Sequence, residues 1–205
     1  MVNQNGEERE VALNSIPNLV IKGTAKNFLI KIYEPFCFKK SLTIEVGEEA
    51  YVSLGKNFRN RGNSLFFIPG NKTSIVIAEN CNIGSTIVSG GEESGRSLLI
   101  DKDFLGGADL KIKLNDGHVI LDTKTNEPLN NTSFGCRIDE HVWISEGVLI
   151  LKDAYIPKNC IIGARALVTK SKYKANCVIA GVPAKICKED VTWLHENFTT
   201  YKITE

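Results

Sequence analysis

Residues 136–168 read CRIDEHVWISEGVLILKDAYIPKNCIIGARALV, and this stretch decides the fold. Ile138, Ile144, Ile150, Ile156, Ile162 and Val168 recur at a period of six without interruption. Neither the 3.6-residue period of a helix nor the alternation of a simple strand produces that spacing. Two positions ahead of each aliphatic sits a small or medium residue: Cys136, Val142, Val148, Ala154, Cys160 and Ala166. With aliphatics at roughly a quarter of positions, six consecutive hits arise by chance about once in several thousand starting points. A chain that buries one aliphatic and one small residue in each hexad turns a corner at every hexad, and three hexads close a triangular coil. The spacing therefore predicts an all-β chain, a parallel β-helix of the hexapeptide type. Stacked coils would share one apolar core, and no coil would be stable alone.

Working outward, the period weakens upstream. Ile77 and Ile83 keep it, with Cys81 and Ile87 beside them, and so do Ile100 and Ile112, with Phe104 and Leu110; Gly106 fills the slot between. Residues 76–187 read as the hexapeptide core. Residues 1–75 carry short β-rich runs separated by Gly23, Gly47, Gly55 and Asn71, which fits degenerate early coils or a small separate β cap. Two polar segments leave the repeat, at 90–95 and 121–134, and such excursions can wall a binding site. Residues 188–205 read as a tail in which Val191, Leu194 and Phe198, spaced three and four apart, predict a short C-terminal helix over the open end of the coil.

Composition narrows the function classes. The 205 residues hold 25 Lys and Arg against 24 Asp and Glu, a net charge of +1 that gives no support for nucleic acid or an acidic membrane as partner. Met1 to Glu10 is polar and acidic, and no apolar run approaches the roughly 18 residues a membrane span needs, so neither export nor membrane insertion is expected. Cys37, Cys81, Cys136, Cys160, Cys177 and Cys187 form no C-x-x-C pair and no cysteine–histidine ligand spacing, so no metal site is expected. They read as small buried hydrophobes in a reducing compartment, with the cytoplasm as the default location.

Three segments carry a resemblance. They are Ile100 to His118, ending in Asp116-Gly117-His118; Ile138 to Lys152, with Val142-Trp143-Ile144; and Ile162 to Lys170 followed by Ala180-Gly-Val-Pro-Ala-Lys185. Together they resemble the left-handed β-helix, hexapeptide-repeat acyltransferases, and among them the O-acetyltransferases of sugars and polysaccharides. The resemblance covers about the last half of the chain. It implies a homotrimer of prisms, acetyl-CoA lying in the groove between neighbouring prisms, and a saccharide or surface polysaccharide as acceptor.

The resemblance places the catalytic histidine at His118. Transfer to a hydroxyl needs removal of its proton, and imidazole is poised near neutral pH for that task. Asp116 or Asp122 could orient the imidazole, or could be ordinary turn residues. Trp143 replaces a small outward residue, so its ring should face out of the prism as a contact surface. The resemblance implies that it lines the site opposite the histidine, near the acceptor or the pantetheine arm, with packing between copies as the alternative. His141 reads as outward and structural or groove-lining, and His195 as solvated; no close histidine pairing is expected. The family holds the pantetheine arm with backbone amides and the phosphates with basic side chains. The matching positions are Ser145, Gly163, Ala164, Thr169, Lys170, Lys185 and Lys188, with Lys170, Lys172 and Lys174 forming a basic patch. Three departures stand out: Ser145 where glycine is usual, Arg165 where the residue is commonly small, and a 171–176 loop without proline. Two other functions stay open, N-acetylation of a nucleotide-linked amino sugar and a non-catalytic solenoid scaffold.

Overall fold

The computed structural model describes residues 1–12, 14–131 and 134–196. The chain winds as successive coils of three short strands. The first coil holds β1 (Leu19–Lys22), β2 (Phe28–Ile32) and β3 (Phe36–Phe38), and the second β4 (Leu42–Val46), β5 (Ala50–Leu54) and β6 (Phe58–Asn60). The third holds β7 (Ser64–Ile68), β8 (Ser74–Ile77) and β9 (Asn82–Ile83), and the fourth β10 (Thr86–Ser89), β11 (Ser97–Ile100) and β12 (Leu105–Gly106). The fifth holds β13 (Leu110–Lys113), β14 (Gly135–Ile138) and β15 (Trp143–Ile144), and the sixth β16 (Leu149–Ile150), β17 (Tyr155–Ile156) and β18 (Ile161–Ile162). A last turn carries β19 (Leu167–Val168), β20 (Val178–Gly181) and β21 (Ala184–Lys188).

Every third strand stacks into one sheet. The first face runs β1-β4-β7-β10-β13-β16-β19, the second β2-β5-β8-β11-β14-β17, and the third β3-β6-β9-β12-β15-β18-β20-β21. All pairings are parallel except the β20–β21 hairpin that ends the third face. The expected parallel β-helix is the observed fold. Both residue tracks of the 136–168 repeat point inward, each member at most 1% exposed, so the hexad code is the core itself. Phe58, Phe66 and Phe104 fill the wider coils below.

Coil length explains where the period fades. Leu149 pairs with Leu167, 18 positions on, which is three hexads. Leu19 pairs with Leu42, 23 positions on, and Leu65 with Ile87, 22 positions on. The early coils use four- and five-residue strands that alternate buried and outward residues, as Leu42–Val46 does, and so read as simple strands rather than hexads.

The segments after β10 and after β13 both leave at the corner between the first and second faces, one coil apart. The second folds back on itself through a Leu121–Pro128 bridge and a bond from the Leu129 N–H to the Ile120 carbonyl. The expected terminal helix is absent from the described residues: 189–196 follow β21 without helical structure. The helix reading made Leu194 a buried contact and ignored Trp193, yet Leu194 is 52% exposed and Trp193 is 6% exposed. A tertiary contact described below outweighs local periodicity here. Phe198 and the rest of the tail lie outside the described residues.

Candidate active site

His118 follows β13 on the corner between the first and second faces, exposed at the base of the projecting loop. The loop is pinned there by Asn130. Its amide donates at 2.8 Å both to Asp116 Oδ2 and to the His118 carbonyl, while its Oδ1 accepts the Ile120 N–H at 2.8 Å. Lys152, on the coil above, reaches Asp116 Oδ2 at 2.5 Å and also bonds the Asn130 carbonyl. The Lys152 hydrogen bond, chiefly, holds the Asp116 carboxyl below its usual range against the opposing effect of burial, with the Asn130 hydrogen bond adding to it. Asp116 is thus committed to Lys152 and Asn130 rather than to the imidazole. Asp122 accepts the Lys124 and Thr125 N–H groups, a turn role. Among the described residues no side chain orients the His118 ring.

Trp143 lies elsewhere. It is in β15 on the third face, pointing outward and 38% exposed, with Leu105 and Ile161 beside it in register. In a triangular prism the corner between the first and second faces is opposite the third face. The anticipated cofactor residues divide the same way. Thr169 and Lys170 follow β19 on the His118 corner, where Lys170 pairs with buried Asp153 at 3.5 Å. Ser145, Gly163, Ala164, Lys185 and Lys188 belong to the Trp143 side.

Backbone bonding sorts that second group further. The Ser145 N–H bonds the Ile162 carbonyl and the Gly163 N–H the Ile179 carbonyl, both at 2.9 Å, so the inter-coil ladder already uses them. No carbonyl among the described residues takes the Ala164 N–H. Gly163 itself is fixed by packing, since a Cβ there would come within 2.8 Å of Ala180 Cβ. Arg165 lies at the neighbouring corner with positive φ, lining a concavity with Ala108, Asp109, Glu146 and Gly147. In the basic patch, Lys174 is tied to Glu189 at 3.1 Å, which leaves Lys172 exposed between two ion-paired lysines.

Sequence reasoning missed a cluster beside Trp143. His141 and His195 share Asp103: His141 Nδ1 bonds one carboxylate oxygen and His195 Nε2 bonds the other at 2.8 Å. Trp193 stacks on His141 with centroids 4.4 Å apart and stands 6.1 Å from Trp143. Burial works to raise the Asp103 pKa, and the two histidine hydrogen bonds more than offset it, leaving the carboxyl below its ordinary value. The expectation that the histidines stand apart is corrected. Sequence separations of 38 and 92 residues hid the pairing.

The polySia-specific acetyltransferase NeuO superposes with a TM-score of 0.76 over 90% of this chain and 78% of its own, at 22% identity. The polysialic acid O-acetyltransferase OatWY superposes at 0.62 over 89% and 94%, at 25% identity. The chain shares their fold. A polysialic acid O-acetyltransferase of Escherichia coli O1:K1 is 27% identical over 153 residues, which is 70% of this chain and 44% of that protein. The chain thus spans less than half the length of that curated relative. No family model matches. The resemblance drawn from the three motif segments is borne out by these neighbours.

Proposed function

We propose that the protein is an acetyl-CoA-dependent O-acetyltransferase of a polysaccharide hydroxyl, working from a site assembled between copies of the chain. Similarity to polysialic acid O-acetyltransferases along 153 residues carries the reading of the reaction. The division of the motif residues supports the assembly: one prism turns His118 and Trp143 away from each other, whereas the His118 corner of one copy can face the Trp143 side of the next. A homotrimer closes three such sites by rotation.

In this reading the His118 imidazole accepts the proton of the acceptor hydroxyl as its oxygen attacks the thioester carbonyl. Collapse of the tetrahedral adduct expels the CoA thiolate, which takes that proton back from His118. The Ala164 N–H, which no carbonyl takes among the described residues, holds a pantetheine carbonyl, and Lys185, Lys188 and Lys170 supply phosphate contacts as point charges. On the acceptor side, Arg59, Asn82, Leu105 and Trp143 stand in one register column, and exposed Arg59 and Arg61 suit an acidic glycan.

The test is thiol release from acetyl-CoA by wild type and His118→Ala, with polysialic acid and neutral oligosaccharides as acceptors. Wild type should release thiol in the presence of an acceptor, and His118→Ala should lower kcat by about a hundredfold or more. Release that survives the substitution would move the base elsewhere. No release and no thermal shift with CoA would favour a scaffold.

A further inference from the structure

At the corner between the second and third faces, successive coils each place one residue in the left-handed region: Asn57, Asn80, Asp103, His141, Asn159 and Asn176, with φ between 55° and 60°. Asparagine suits this position, because its short polar side chain tolerates left-handed backbone and can bond a neighbour. Two pairs form such a ladder, Asn57 Nδ2 to Asn80 Oδ1 and Asn159 Nδ2 to Asn176 Oδ1, both at 2.8 Å. The fourth and fifth coils depart from it. Asp103 and His141 keep the rung-to-rung bond with different chemistry.

Stacking of the coils does not require that exchange, since asparagines serve above and below. Its consequence is reach. The second Asp103 oxygen takes His195, the His141 ring lies flat on Trp193, and His141 Nε2 faces the Trp193 carbonyl at 3.0 Å. In return, Trp193 Nε1 donates to the His141 carbonyl at 2.8 Å. The chain after β21 is therefore fastened across the third face at the level of Trp143. The outward indole of Trp143 lies in register with Leu105 and Ile161 on a two-residue strand, and the buried Trp193 ring supplies a wall on another side.

We infer that Trp193 is a positioning residue for Trp143, held in place by the Asp103–His141–His195 clasp. The inference rests on the reading above in which Trp143 lines the substrate groove. It assigns the segment after the β-helix a task in catalysis beyond closing the end of the coil.

Trp143 and Trp193 are the two tryptophans of the chain, so its emission reports this cluster without a label. In Trp193→Phe and Trp193→Ala, Trp143 is the sole emitter. The inference predicts high anisotropy for the phenylalanine variant and a marked fall for the alanine variant. It predicts a loss of about tenfold in kcat/KM for Trp193→Ala, recovered in Trp193→Phe. In a Trp143→Ala background the Trp193→Ala change should cost less than about twofold more, because its effect passes through the missing ring. His195→Ala, at an exposed position, repeats the cycle should Trp193→Ala unfold. Unchanged anisotropy, or a loss that multiplies fully with that of Trp143→Ala, overturns the inference. A fully active Trp143→Ala enzyme would instead overturn the reading of Trp143 as a site residue, and the anisotropy pair would still decide whether Trp193 fixes its ring.

Discussion

His118 enters the reading through the resemblance carried by Asp116-Gly117-His118, and Trp143 through that resemblance and a slot that the repeat fills with smaller residues. Lys152, Asp103 and Trp193 were not legible, because their significance lies in contacts across coils that no spacing encodes. Lys152 looks like any surface lysine until it bonds Asp116 and the Asn130 carbonyl, and His195 meets Asp103 from 92 residues away. The Asp103 carboxyl titrates below its ordinary value because both histidines bond its charged form more strongly than burial opposes it. A carboxyl depressed in the folded state stabilises above its unfolded value of about 3.9 and loses that contribution as pH falls through the folded one. In Trp143→Phe, where Trp193 is the sole tryptophan, its emission should therefore hold steady as pH falls to about 4 and shift red below it. A red shift complete by pH 5 would show that Asp103 does not hold the clasp closed.

At the scale of the element, the hexad explains the cysteines as well as the strands. Cys136 and Cys160 occupy the small-residue track, and Cys81 the equivalent place in an earlier coil. Burial pushes the Cys81 and Cys136 thiols up to about 12 and Cys160 to about 11. Such thiols are protonated and shielded at neutral pH, whereas Cys187 is exposed and Cys37 partly so. A disulfide reagent should modify only Cys187 and, more slowly, Cys37 in the folded protein, and reach Cys81, Cys136, Cys160 and Cys177 only on unfolding. Rapid labelling of Cys136 would mean that the fifth coil opens. The later coils were readable because their 18-residue register is three clean hexads. The early ones hid in longer strands with an ordinary alternation. Of the helix expected after residue 188, the described residues 189–196 form none, and Trp193 is buried there against His141 instead.

At the scale of the molecule, a triangular cross-section forces a choice that a globular pocket would not. Side chains on one corner and on the opposite face cannot meet around one substrate within a copy, and His118 and Trp143 hold those two places. Sites that borrow a histidine from one copy and a tryptophan from the next are therefore expected. The measurement that tests this most directly is co-assembly of His118→Ala with Trp143→Ala, each of reduced activity alone, from separately tagged chains mixed at equal amounts. Random mixing in a ring leaves about a quarter of the sites with both intact residues, so acetyl transfer should return to about that fraction of the wild-type rate. Mixed assemblies that stay as inactive as either parent would contradict a shared site.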